Sequence, residues 1–167
     1  MLKAILVDDD FPVLRYLAGA VQWHDLGIQL AGSFSNGLEA WEAAGEDPPD
    51  IIVTDIGMPK MNGLEMLNKF LSVKPDAKAV ILSCHNEFKY AQQAIKLNVS
   101  DYILKESLDV VDLQDILKRM ADELAERKQR YADIVQYKQK QTMNVSALKE
   151  KFLKETLFQS SWPKEDW

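Results

Sequence analysis

Residues 2–10 read Leu2-Lys3-Ala4-Ile5-Leu6-Val7-Asp8-Asp9-Asp10, an apolar run of strand length that stops on three carboxylates. A second stretch repeats the arrangement, Ile51-Ile52-Val53-Thr54 ending in Asp55. Short aliphatic and β-branched runs without polar alternation suit strands buried on both faces, the condition of a parallel sheet covered by helices. Three further runs keep the rhythm: Ile28–Phe34, residues 79–82 and Asp101–Leu104. Between the five lie stretches of helical spacing. Residues 12–23 open with a proline suited to a first turn, residues 38–44 follow an Asn-Gly turn, and Gly63–Val73 and residues 87–97 complete the set. Each connection is long enough to return the chain for a parallel strand, and right-handed crossovers then put helices on both faces. The pattern predicts an α/β fold, a doubly wound five-stranded parallel sheet in the order 2-1-3-4-5. Its site belongs at the carboxyl ends of the strands.

The rest of the chain sets limits. At 167 residues there is room for one domain and an appendage. With 47% hydrophobic and 28% charged residues, neither a disordered nor a membrane-embedded chain is expected. Apolar runs are far shorter than a membrane span, and a cytoplasmic location is expected. The single cysteine, Cys84, excludes an internal disulfide and a multi-cysteine zinc site. Lys and Arg number 9 against 15 Asp and Glu in residues 1–106, but 11 against 11 beyond. Neither part is basic, so no surface for tracking nucleic acid phosphates is legible.

After residue 108 the spacing is purely helical. Leu113, Leu117, Met120, Leu124, Arg127, Tyr131, Ile134, Lys138, Gln141, Val145, Leu148 and Phe152 follow one another at steps of four and three, a coiled-coil seam if the helix is continuous. The first four suit packing on the sheet; from Tyr131 onward no sheet is left to cover, and the seam suits another helix or another chain. Polar residues 139–144, with Asn144 and Ser146 as capping types, equally allow a break into a second helix over residues 147–159.

In the expected topology strands 1 and 3 are neighbours, so Asp8 or Asp9 converges with Asp55. Clustered carboxylates repel, and a hard divalent cation such as Mg²⁺ relieves them. Helix capping is the plainer use of such acids and is expected of Asp10, ahead of Pro12; it does not call for acids on two adjacent strands. Strand 4 delivers the hydroxyl of Ser83 and strand 5 the ammonium of Lys105. Singly these are a turn residue and a surface charge. Carboxylates, hydroxyl and ammonium at one edge can hold a metal and a tetrahedral oxyanion, the needs of phosphoryl transfer.

Over residues 1–126 the chain resembles the receiver domain of two-component response regulators, a flavodoxin-like fold. The resemblance rests on the acids after strand 1, Asp55 after strand 3, Met58-Pro59-Lys60-Met61-Asn62-Gly63, Ser83, and Asp101-Tyr102-Ile103-Leu104-Lys105. It implies that Asp55 is the phosphoacceptor and that Asp8 and Asp9 are the acidic pair of a Mg²⁺ site, to which Gly57 lends its backbone carbonyl. Lys105 is then the phosphate-pairing lysine, Ser83 the switch hydroxyl and Tyr102 the switch aromatic. It further implies a sensor histidine kinase as phosphoryl donor and a switch rather than an enzyme. Trp23-His24-Asp25-Leu26-Gly27-Ile28, Phe88-Lys89-Tyr90-Ala91 and the helical extension resemble receivers joined to AraC-type helix-turn-helix output domains, through which DNA would be bound. Residues 127–167 then form a helical linker, expected to pair in parallel with a second copy. No basic recognition helix is legible in residues 147–167, and Trp162-Pro163 is expected to end the helix.

One departure stands out: Glu106 follows Lys105 where the family usually has proline. A cis bond costs about 2.5–4 kcal/mol before a non-proline residue, so a trans bond is expected, with a carboxylate close to an anion site. Two rival readings are an aspartate-based phosphatase, which needs an acid where Gly57 stands, and a pseudo-receiver that binds partners without phosphorylation. His85, two residues past Ser83, could orient a water in loss of the phosphoryl group.

Overall fold

The computed structural model describes residues 1–84 and 88–159. Five parallel strands, β1 (Leu2–Val7), β2 (Ile28–Phe34), β3 (Ile51–Thr54), β4 (Lys78–Ser83) and β5 (Asp101–Leu104), form one sheet in the order β2-β1-β3-β4-β5. Helices α1 (Phe11–Ala20), α2 (Gly37–Ala44), α3 (Gly63–Val73) and α4 (Phe88–Lys96) make the connections. A 3-10 turn at Lys105–Ser107 leads into α5 (Val110–Gln159). The order is the expected one, and β4 is longer by one residue at each end.

Both faces of the sheet are buried, which explains the unbroken apolar runs. In β1, Leu2, Ala4 and Leu6 join a core layer with Leu14 and Leu17 of α1 and Leu113, Leu117, Met120 and Leu124 of α5. Ile5 and Val7 point the other way, into a layer with Ala40 of α2 and Met66, Leu67 and Phe70 of α3. Strands β3 and β4 split likewise, Val53, Val80 and Leu82 against Ile52, Ala79 and Ile81. Packing divides the chain into a unit of Met1–Leu124 and a second beginning at Ala125. Among the described residues no helix is long and apolar enough to cross a membrane.

One helix departs from the spacing. α1 stops at Ala20 instead of continuing to residue 23, and Trp23 is buried from a turn that closes with Ile28 N donating to Trp23 O at 3.0 Å and Gly27 at φ +71°. A buried residue in a turn mimics the next step of a helical face. α5 takes the continuous arrangement of the two left open. Ion pairs at i,i+4 join Arg130 to Glu126 at 3.0 Å and Lys151 to Glu155 at 3.9 Å, each of a kind that supports a helix by about 0.2–0.5 kcal/mol. Within the polar stretch Gln141 donates to the Tyr137 hydroxyl at 2.8 Å and the Thr142 hydroxyl to the Lys138 carbonyl at 3.0 Å, both within the helix. The end expected at Trp162-Pro163 lies outside the described residues.

The loop from β3 to α3 is fixed at both sides. Gly63 N donates to Ile56 O at 3.0 Å, and a Cβ on Gly63 would lie 1.9 Å from the carbonyl oxygen of Asp55. No side chain fits there. On the other side, Gly37 N donates to Met61 O at 3.1 Å, and Lys60, held at φ +64°, pairs with Glu39 at 3.3 Å. Glu39 lies in the first turn of α2, capped by Asn36: Asn36 Oδ1 accepts from Glu39 N at 3.0 Å, and Ser35 Oγ donates to Glu39 Oε2 at 2.9 Å.

Replacing Gly63 with Ala should lower stability by about 2–3 kcal/mol, because backbone must move. Gly19→Ala, in α1 with open space around it, should raise stability by about 0.5–1 kcal/mol. Urea denaturation of the two variants reads both signs. The Ser35 hydroxyl, with the Asn36 side chain and the Lys60 ammonium, brings Glu39 down from 4.5 to about 2. A depressed carboxylate stabilises above its unfolded value and loses that contribution as pH falls through the folded one. Carboxyl-carbon NMR should therefore find Glu39 titrating near pH 2, the capping contribution fading between about pH 4.5 and 2, and Ser35→Ala should raise the midpoint.

Candidate functional site

β1 and β3 pair directly, with Val7 opposite Thr54 and Asp55 N donating to Val7 O at 2.8 Å, so the residues that follow the two strands lie side by side. Asp8 and Asp55 are buried and Asp9 is exposed, and one oxygen from each carboxylate lies within 4.8 Å of the others. Asp10 N donates to Asp8 Oδ1 at 2.9 Å, turning Asp8 inward. Thr54 Oγ1 donates to the carbonyl of Asp55 at 2.8 Å.

Lys105, just past β5, reaches across this edge. Its Nζ is 2.6 Å from Asp8 Oδ2 and 3.7 Å from Asp55 Oδ2, nearer the metal-type acid than the candidate phosphoacceptor. The closer contact is an ion pair without hydrogen-bond alignment, and Asp8 Oδ2 is a buried oxygen that accepts no hydrogen bond among the described residues. Burial pushes the Asp8 carboxyl above its ordinary range, and the charge of Asp55 adds to this, while Lys105 and the Asp10 amide pull the other way. For Lys105 burial works downward, but the Asp8 carboxylate and the charge of Asp55 more than reverse it, so the ammonium is held above its ordinary value. The Asp8 shift is an effect of burial, whereas the Lys105 shift comes from the two carboxylates beside it.

The donor set fits the expected ion. Hard divalent cations take carboxylate oxygens, and Asp8, Asp9 and Asp55 offer three within reach of a common centre, one of them short of hydrogen bonds.

The remaining expected residues are distributed as follows. Ser83 is fully buried at the end of β4, opposite Leu104, which places it at the same sheet edge. Gly57 is exposed in the loop two residues past Asp55. Tyr102 lies opposite Ile81, short of the strand end, half-buried against the layer of α2 and α3. The bond between Lys105 and Glu106 is trans, and Glu106 is exposed in the 3-10 turn. Asp10 occupies the N-cap position of α1 but its side chain makes no cap bond, and Pro12 offers no amide at the second helical position. His85 lies outside the described residues. Gly63 and Thr54, legible in the sequence only as a motif end or helix start and a strand residue, both bear on the Asp55 backbone. Their signal was the nine-residue reach from Thr54 to a glycine at a helix start, which has meaning only once the loop is seen to fold back.

Comparison with known proteins agrees with this geometry. The response regulator receiver domain family matches residues 4–120. The chain is 38% identical over 128 residues to the uncharacterized transcriptional regulatory protein YesN of Bacillus subtilis, covering 77% of this chain and 34% of YesN. It is 31% identical over 127 residues to the transcriptional regulatory protein HptR of Staphylococcus aureus, covering 76% of this chain and 49% of HptR. The chain thus spans about half or less of these relatives' lengths. Among solved structures, the REC domain of AraT, a response regulator from Geobacillus stearothermophilus, superposes with a TM-score of 0.69 at 26% identity, covering 76% of this chain and 98% of that one. A CheY-like receiver from Methanospirillum hungatei shares the fold at 19% identity, with a TM-score of 0.68 over 76% of this chain and 98% of its own. With its five-stranded order, its acid-lined edge and a family match over most of its length, this chain belongs to the response regulator receiver domain family.

Proposed function

We propose that the chain is a phosphorylation-dependent switch in which Asp55 accepts a phosphoryl group from a histidine of a sensor kinase. The observation that carries the reading is the convergence of Asp8, Asp9 and Asp55 beneath the Lys105 ammonium. A carboxylate oxygen of Asp55 forms the new bond to phosphorus while the P–N bond breaks and its electron pair returns to the imidazole. Asp8, Asp9, Asp55 and the Gly57 carbonyl would hold Mg²⁺, which neutralises charge on the transferring group. Lys105 exchanges its contact with Asp8 for the new phosphate oxygens, and Ser83 donates to another. The added charge, about −1.5 to −2, draws Ser83 inward and lets Tyr102 follow.

Residues 1–126 act as the receiver and residues 127–167 as a helical linker, joined in the whole cytoplasmic protein to an AraC-type DNA-binding output. Support for that output comes from YesN and HptR, which are described as transcriptional regulatory proteins. The extension makes the protein a homodimer. No turnover of a small phosphoester is expected, since Gly57 cannot serve as a general acid.

Incubation with acetyl phosphate and Mg²⁺ followed by intact mass measurement tests the site. The wild-type chain should gain one phosphoryl group and Asp55→Asn none; a gain by the Asn variant overturns the assignment. Sustained phosphate release would identify a phosphatase, and no adduct a pseudo-receiver. Glu106→Pro removes a carboxylate next to Lys105 and should lengthen the phosphoryl lifetime by about two- to fivefold, the scale of one screened charge pair. An unchanged or shorter lifetime counts against a role for Glu106.

A further inference from the structure

The turn between β2 and α2 touches both acid-bearing segments of the sheet edge. In the pairing of β1 with β2, Ala4 lies opposite Leu30 and Ile5 opposite Gly32, so Ala31 is skipped as a bulge. The bulge turns the strand over: Leu30 joins the core layer of α1 and α5, whereas Phe34 joins that of α2 and α3. Phe34 O then accepts from Asp8 N at 3.0 Å, and two residues further on Asn36 caps α2.

From the same turn α2 reaches the loop of residues 56–62, which carries Gly57. Gly37 N donates to Met61 O at 3.1 Å, and a Cβ on Gly37 would lie 2.7 Å from that oxygen, so backbone meets backbone there. Beside this contact Glu39 uses its two oxygens separately: Oε2 accepts from Ser35 Oγ at 2.9 Å and Oε1 from Lys60 Nζ at 3.3 Å. Lys60 is held at φ +64°, a left-handed conformation unfavourable for a residue with a side chain. Such strain persists where the surroundings impose it, and it gathers at functional loops. The loop's own backbone bonds, Met58 N to Ile56 O and Met61 N to Pro59 O, do not involve Lys60, whereas Glu39 grips it from α2. Gly57 stands three residues before Lys60, and a loop fixed in advance loses less conformational freedom when its carbonyl meets an ion.

We propose that Glu39 and Lys60 are a positioning pair for the cation site: their contact holds the loop so that the Gly57 carbonyl is offered to Mg²⁺ alongside Asp8, Asp9 and Asp55. Neither side chain is itself a ligand. The pair rests on the Mg²⁺ site of the proposed function and not on the kinase or the output domain.

A Mg²⁺ titration of the full chain followed by amide NMR shifts, with urea denaturation of each variant alongside, tests it. Glu39→Gln and Lys60→Met should each raise the Mg²⁺ Kd about two- to threefold, the scale of one exposed ion pair. The double variant should bind no more weakly than either single one, since both remove the same contact, and Lys60→Arg should keep the wild-type value. Lys60→Met carries the deciding sign. By charge alone, removing a cation from the loop of a cation site tightens Mg²⁺ binding, whereas loss of the tether weakens it. Equal or tighter binding by Lys60→Met overturns the positioning role, and a lowered urea midpoint in that case assigns the pair to stability alone. A wild-type chain whose Asp8, Asp9 and Asp55 amides do not shift with Mg²⁺ overturns the cation site itself, and the positioning role with it.

Discussion

Two buried carboxylates and a third beside them at one sheet edge set the terms for everything around them. Burial raises the cost of ionising Asp8, and the neighbouring Asp55 charge adds to it. The Asp8 carboxyl is accordingly pushed upward while Lys105, between Asp8 and Asp55, is held charged. Its ammonium lies 2.6 Å from Asp8 and 3.7 Å from Asp55, within reach of both carboxylates.

That edge exists because the sheet is parallel and covered on both faces. Parallel pairing of β1 and β3 brings two strand ends together, and helices on either side leave the ends as the open rim. The β3–α3 loop is the narrowest part. Gly63 packs against the Asp55 carbonyl where no Cβ fits, Ile56 O accepts from Met58 N and Gly63 N, and Glu39 and Gly37 hold Lys60 and Met61 from α2. Asp55 is positioned through its backbone, which leaves its carboxylate available for chemistry.

The 50-residue α5 obeys a different logic on each side of Ala125. Before it, the seam residues are buried against the sheet; after it, seam residues of similar character are exposed. Helix propensity and i,i+4 pairs account for the helix itself. They say nothing about what covers its apolar face.

Sequence alone determined the strand count, the order of elements and the acids at the ends of β1 and β3, because a parallel sheet buried on both faces needs runs such as Ala4–Val7 and Ile51–Thr54 that few other structures can use. It also pointed to Lys105 and Ser83 through their places at strand ends. Tertiary structure decided what spacing does not encode. Trp23 fills the core from a turn, so its apolar character could not reveal that α1 had already ended. Asp10 takes the N-cap position without a capping bond, and residues 139–144 stay helical, with Gln141 and Thr142 bonded to groups one turn back. The closer approach of Lys105 to Asp8 than to Asp55 and the contact of Gly63 with the Asp55 carbonyl depend on ångström-scale distances between residues far apart in the chain, and those distances are fixed only when the sheet, its helices and its loops pack together.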